Sequence, residues 1–305
     1  MQGFIDNLPF LIEDSLTGLM TGGVYALIGV GIVLVFRATQ VFNFAHGAIV
    51  MFGAYFYYSI NLMLDGLGLG PWAIYVVALP ATLVIASLFG MALERLLMRP
   101  MLGENNLFAM IMVTIGLISI LDGAATLIWK SDARYPPELA SLNIVEVWGV
   151  FINTQMVWSF LIALAVFAVI IFLFQKSRAG VAMRATATDQ STAYAMGINV
   201  PRVFASAWVV AAATGALAGV LLAPVNSLTP GLSTIGLAVI AVVILGGVDS
   251  VIGVFVAGLI VGWLEAITNH YLGGEAKDLV PYIVVLAIIL IRPYGLFGTT
   301  DIDRV

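Results

Sequence analysis

The chain has 305 residues, of which 62% are hydrophobic and 10% charged, and a net charge of −5. Soluble domains carry about 25% charged residues, so this chain cannot cover a water-facing surface, and lipid is its expected solvent. It contains no cysteine, which excludes disulfides, thiolate metal sites and cysteine nucleophiles.

Apolar runs recur at the ~17–25 residues that a helix needs to cross a bilayer. They lack period-two alternation, which excludes a barrel, and lipid admits only helices or closed barrels. The expected fold is therefore an all-α polytopic membrane protein. About nine transmembrane helices are predicted, near 10–36, 44–64, 72–97, 107–129, 155–175, 203–223, 233–248, 251–271 and 279–292. The seventh and ninth are short for a crossing, which leaves eight to ten open. The first residues lack a basic n-region, so the first span is the expected insertion signal.

Taken in order, span one is Gly-rich and runs into a break, VFNFAHGAIVMFGAY, at 41–55. Asn43 is suited to capping the next helix, and Gly47 allows close packing. His46 reads as a packed histidine, because a proton relay would need acidic partners that this segment lacks. The functional reading of the break is a re-entrant corner beside a solute path. Asp122 lies inside span four. An ionisable residue there is a functional-site hypothesis by default, and the competing reading is a bond to a neighbouring helix. Glu94 and Glu265, near span ends, read as snorkelling or capping groups.

Between spans five and six lies a polar island, 176–202, with Lys176, Arg178, Arg184 and Arg202 against Asp189. Asp189 is a predicted N-cap and Gly197 a C′ residue, and Pro201 opens the next helix. A short helix held between two spans is suited to being a handle for a soluble partner. Span six is Gly/Ala-rich and leads through Asn226, Pro230 and Gly231 into another apolar run. Gly215 and Gly219, and Gly258 and Gly262, are spaced for close helix packing. Gly246 and Gly247, before Asp249, are expected to break span seven from span eight.

Basic residues cluster on one side if the spans alternate: Arg37, Arg95, Arg99, the polar island, Arg292 and Arg304. The other side holds Lys130, Arg134 and Lys277, with the acids Asp6, Glu13 and Asp14. The positive-inside rule then places the N-terminus outside and the C-terminus in the cytoplasm. Spans one and six share a Gly-rich run, a break and a following apolar helix. This predicts half-repeats at about 10–130 and 203–292 of opposite topology within one domain, 1–305.

No P-loop, HExxH or GxSxG is present. His46 and His270 form no metal cluster, and paired mid-span carboxylates are absent. No catalytic residue, metal or cofactor is therefore expected, and nothing points to nucleic acid. If solute moves uphill, a partner must supply the energy.

GGVYALIGVGIVLVF followed by NFAHGAIVMFGAY resembles the opening of branched-chain amino-acid ABC importer permeases of the LivH type. The similarity continues through ERLLMRP, RATATDQSTAYAMGINVPRV, VVILGGVDSVIGVFVAGLIVGWLEA and IRPYGLFG, over nearly the whole chain. The resemblance implies an inverted-repeat core of the type II importer kind in a bacterial inner membrane. It implies a non-enzymatic subunit that forms half of a translocation path. The implied partners are a second, LivM-like permease (or a second copy), two cytoplasmic ATPases that bind the ATP, and an extracytoplasmic binding protein that delivers a small solute. It assigns ATPase coupling to Ala185, Asp189, Ala193, Met196, Gly197, Asn199 and Arg202. The candidate path residues are Asn43, His46, Gly47, Asp122, Asn226, Gly246 and Gly247. Leu237 stands where the family often has a basic residue, and Asp122 where neutral residues are common. Urea, short amides and aromatic acids are thus kept as alternative solutes, and secondary transport as a further alternative.

Overall fold

A computed structural model describes the backbone of residues 8–69, 71–101, 107–138, 144–147 and 150–299. Asp6 and Arg304 lie outside the described residues. The helices, in chain order, are α1 (Leu8–Thr39), α2 (His46–Asp65), α3 (Pro71–Leu93), α4 (Leu107–Trp129), α5 (Thr154–Lys176), α6 (Arg178–Thr188), α7 (Gln190–Ala195), α8 (Val200–Asn226), α9 (Ile235–Gly246), α10 (Val251–Leu272), α11 (Gly274–Lys277) and α12 (Val280–Ile291). Helix α3 continues into a π-helical turn, Glu94–Met98, and a 3₁₀ turn, Arg99–Met101.

Among the described residues, seven helices are long and apolar enough to cross a membrane. The expected seventh and ninth spans are α9 and α12, each of 12 residues. At 1.5 Å per residue these reach ~18 Å, short of a ~30 Å hydrocarbon core. A hairpin of β1 (Ile144–Val147) and β2 (Val150–Asn153) adds to the helical expectation, with Val145 opposite Ile152. Its β-branched residues suit a strand.

The described chain forms two compact units. One comprises Met1–Gly29, Glu138–Val166 and Leu237–Val305. In it the first part of α1 runs against α10 through small residues. A Cβ on Gly22 would meet the Gly258 carbonyl, and one on Gly262 would meet the Gly18 carbonyl. Ridges without side chains let these backbones touch, and this close packing replaces the hydrophobic drive that lipid removes. Polar groups reinforce the seam. Trp263 Nε1 donates to Ser15 Oγ at 3.1 Å, and His270 Nδ1 lies 2.7 Å from Asp14 Oδ2. Deeper in, Tyr25 donates to Glu265 Oε2 at 2.8 Å.

The other unit comprises Val30–Pro137 and Phe167–Gly236. Its centre is α2, packed on α3 and α8. Gly53 meets Ala216, Gly219 meets the Val50 carbonyl, and Gly90 meets the Trp208 carbonyl. An aromatic layer packs on the middle of α2: Phe52 stacks on Phe89 at 5.2 Å and Tyr55 on Trp129 at 4.6 Å between ring centroids. Arg134 donates to Tyr58 Oη at 2.9 Å and to the Trp129 carbonyl. Its backbone also pairs with that of Leu228, so the segment after α8 is tied down.

Candidate translocation corner and coupling surface

The break after α1 is a tight turn between two helices long enough to cross a membrane. Gln40, at φ +58°, ends the helix, and the chain doubles back. His46 then lies against Gly31, where an added Cβ would be 2.5 Å from His46 Nε2. Gly31 is eight residues before the end of α1, or ~12 Å back along the axis. His46 is buried and also neighbours Thr214 and Gly215 of α8. Asn43 Oδ1 accepts from the Ala45 N–H at 3.1 Å. This local turn precedes the helix, whose N-cap position is Ala45 with no side-chain cap. Asn43 therefore shapes the corner from outside the helix rather than capping it.

A second break faces the first. Helix α8 ends at Asn226, and Ser227 adopts φ +62°. The chain continues through a 3₁₀ turn, Pro230–Thr234, into α9. This turn packs on the start of α2: a Cβ on Gly47 would meet the Ser233 carbonyl and Gly236. Only glycine at 47 permits that approach. Ser233 Oγ in turn donates to Asp122 Oδ2 at 3.2 Å. The turn around Ser233 thus brings Gly47 and Asp122 together, whereas the His46 ring lies against Gly31, Thr214 and Gly215. Asn226 is exposed and only marks the helix end.

Gly246 and Gly247 belong to the other unit. Gly247, at φ +106°, turns the chain between α9 and α10 as expected. The C-terminal segment covers this turn: Leu296 N donates to the Leu245 carbonyl at 2.7 Å and Phe297 N to Gly246 O at 3.1 Å. Asp249 accepts from the Thr299 N–H and hydroxyl. Both glycines therefore sit in a packed knot, where an added Cβ would strike Gly253 or Gly298.

The polar island folds as two short helices, α6 and α7, rather than one. Ser177 caps α6 through a 3.0 Å bond from the Gly180 N–H. Asp189 caps α7: one carboxylate oxygen accepts from the Ser191 and Thr192 N–H groups at 2.8 and 3.1 Å. Both hydroxyls donate to the same carboxylate at 2.7 and 2.9 Å. These bonds, led by the Ser191 hydroxyl, lower the Asp189 pKa to about 2. Gly197, at φ +84°, closes α7, with the Ile198 N–H reaching back to the Ala193 carbonyl. Asn199 Oδ1 then accepts from the Arg202 N–H at 3.1 Å and starts α8.

Asp189, Met196, Gly197, Asn199 and Arg202 are exposed, Ala185 is half-buried and Ala193 is buried. Ala193 therefore seats α7 on the bundle. Tyr194 and Met196 are 70% and 79% exposed and form an apolar tip on a polar segment. Tyr194 was missed by the sequence reading, although its place beside Ala193 and Met196 marks it. A second missed feature is the joint to the membrane helices. The guanidinium carbons of Arg37 and Arg184 lie 5.2 and 5.4 Å from the centroid of the same Phe174 ring. Arg184 also donates to the Phe174 and Gln175 carbonyls at the end of α5. Cations there offset the negative helix terminus and lock α6 onto α5.

Glu94 and Glu265, expected at the membrane interface, are buried instead, 1% and 4% exposed. Each has a specific donor that compensates burial: Arg99 Nε at 3.3 Å for Glu94, and the Tyr25 hydroxyl for Glu265.

The family model for the branched-chain amino acid transport system permease component matches residues 15–289. The chain is 32% identical to the high-affinity branched-chain amino acid transport system permease protein LivH of Escherichia coli K12. That match spans 309 residues, 98% of this chain and 99% of the relative. It is 30% identical to BraD of Pseudomonas aeruginosa, a permease of the same description, over 96% of this chain and 98% of the relative. A probable LivH of Methanocaldococcus jannaschii is 25% identical over 89% and 88%. In fold, a chain of PsaBC from Streptococcus pneumoniae in complex with Fab is similar, with a TM-score of 0.50, 17% identity, and 97% and 98% of the two chains covered. With helices able to span a membrane and a match over nearly its whole length, the chain belongs to the family of branched-chain amino acid transport permease components.

Proposed function

We propose that this permease forms half of the path for a branched-chain amino acid in an ATP-driven importer, with 176–202 as the surface that a cytoplasmic ATPase grips. The observation that carries the reading is the polar segment itself. It is capped at Ser177, Asp189 and Asn199, and it exposes Tyr194 and Met196. A loop that merely joins two spans needs none of this. Rigid caps and the Phe174 joint let a push on α7 move the membrane helices as a body, the kind of motion that alternates access. The breaks after α1 and α8, which meet at Gly47 and Ser233, supply broken backbone beside the path, as transporters use.

The remaining parts follow from this reading: a second permease, related or identical, a second ATPase, and an extracytoplasmic protein that selects the solute. The orientation places the N-terminus outside and the polar segment in the cytoplasm of an inner membrane, with the two half-repeats inverted. The membrane subunit holds neither ATP nor a catalytic group.

The test is reconstitution of the permease with ATPase, second permease and binding protein encoded beside it. Proteoliposomes should accumulate leucine, isoleucine or valine only with ATP inside the ATPase-facing compartment. Accumulation of urea, an amide or an aromatic acid instead would reassign the solute. Uptake that needs no ATP and collapses with a proton uncoupler would replace the reading with secondary transport.

A further inference from the structure

A small cavity of about 10 Å³ lies in the unit built on α2, lined by Thr39, Val41, Asn43, Glu94, Met98, Met110, Phe204 and Trp208. Three of these residues carry buried polar atoms with no hydrogen-bond partner among the described residues: Asn43 Nδ2, Glu94 Oε2 and Trp208 Nε1. The side chains are 1%, 1% and 2% exposed. Their remaining polar atoms are already engaged. Asn43 Oδ1 holds the Ala45 N–H, Glu94 Oε1 holds Arg99 Nε, and an indole has no second polar atom. An unsatisfied buried polar group costs roughly 1–3 kcal/mol, and three around one cavity point to a guest.

The chemistry and size of the guest are both constrained. It must accept from two N–H donors and donate to one carboxylate oxygen. A cavity of ~10–15 Å³ admits about one water, and an amino acid does not fit. We infer that this cavity binds one structural water, which accepts from Asn43 and Trp208 and donates to Glu94. The water joins three elements: the corner before α2, the π-turn after α3, and the third turn of α8. The π-turn at Glu94–Met98 contributes two lining residues, and such turns recur at functional positions. A water-bridged joint re-forms after a small slide of one helix, where a direct bond would break. The site is independent of which solute the permease carries.

The test is a map of the intact transporter in lipid nanodiscs at about 2 Å, a resolution that shows ordered water. Wild type should show one peak within hydrogen-bonding distance of Asn43, Glu94 and Trp208. Glu94→Gln keeps a carbonyl acceptor and should keep the peak. Glu94→Leu removes the acceptor and should weaken it at least about threefold. A wild-type map with no peak, or with a side chain filling the cavity, would overturn the inference. An unchanged peak in Glu94→Leu would also remove Glu94 from the site. If Glu94→Leu does not fold, Trp208→Phe replaces it. The indole N–H is then lost together with one ring, and the peak within hydrogen-bonding distance of Asn43 and Glu94 should weaken likewise.

Discussion

Ser233, in the 3₁₀ turn after α8, donates a 3.2 Å hydrogen bond to Asp122, in the second half of α4. The two residues are far apart in sequence. Their contact joins the broken segment to a helix of the bundle, beside Gly47 of the other broken segment. The carboxylate thus bonds a broken segment rather than a neighbouring straight helix.

Ser233→Ala removes that donor without disturbing the turn. A net hydrogen bond contributes about 1 kcal/mol, so uptake should fall about fivefold while the amount of membrane-inserted protein holds. Asp122→Asn keeps an acceptor and should lose less. Uptake assays at matched expression check both. Unchanged uptake in Asp122→Leu would take the residue out of the path.

Tyr25→Phe tests the buried carboxylate in the other unit. The variant strands Glu265, which is 4% exposed, and should cost roughly 1–3 kcal/mol. Thermal unfolding in detergent should show a lower midpoint. Glu265→Gln keeps an acceptor for the Tyr25 hydroxyl and should be milder. A smaller loss in Tyr25→Phe than in Glu265→Gln would contradict this account of the pair.

Asp189 carries the pH prediction. The Ser191 hydroxyl, then the Thr192 bonds, lower its pKa to about 2 from an ordinary 3.8. A folded pKa below the unfolded one means that the cap is fully present above about pH 4. It is lost only as pH falls through the lowered value. Order in 190–196 should therefore be constant from pH 5 to 8. Hydrogen exchange of these amides measures it. Asp189→Ala should speed exchange at all pH values in that range, and Asp189→Ser, which keeps a cap oxygen, should largely restore protection. A transition near neutral pH would rule out this source of order.

Much of the fold was legible because lipid imposes it. The apolar runs gave the spans, including the two that are too short to cross. The caps at Asp189 and Gly197 and the opening Pro201 were readable because capping is local chemistry. What escaped was long-range. Neither the pairing of Tyr25 with Glu265 nor the two cations on Phe174 follows from spacing, since each joins distant segments. Glu94 and Glu265 were placed at the interface because sequence position does not show a buried donor. Ser233 was invisible as a site residue because a serine near a proline reads only as a turn. The α6 cap at Ser177 was readable in principle, since Ser177 precedes a helix-compatible run and Gly180 follows three residues later.

The exposed tip of α7 is the place proposed for a nucleotide hydrolase to hold this permease. A photo-crosslinker placed at Met196 in the intact transporter measures that contact directly. In membranes from cells that are importing solute, it should capture an ATPase subunit in high yield. Capture should change with ATP, and a probe at buried Ala193 should capture none. Capture of lipid or a periplasmic protein alone, or labelling of position 196 by a membrane-impermeant reagent from outside, would contradict the account.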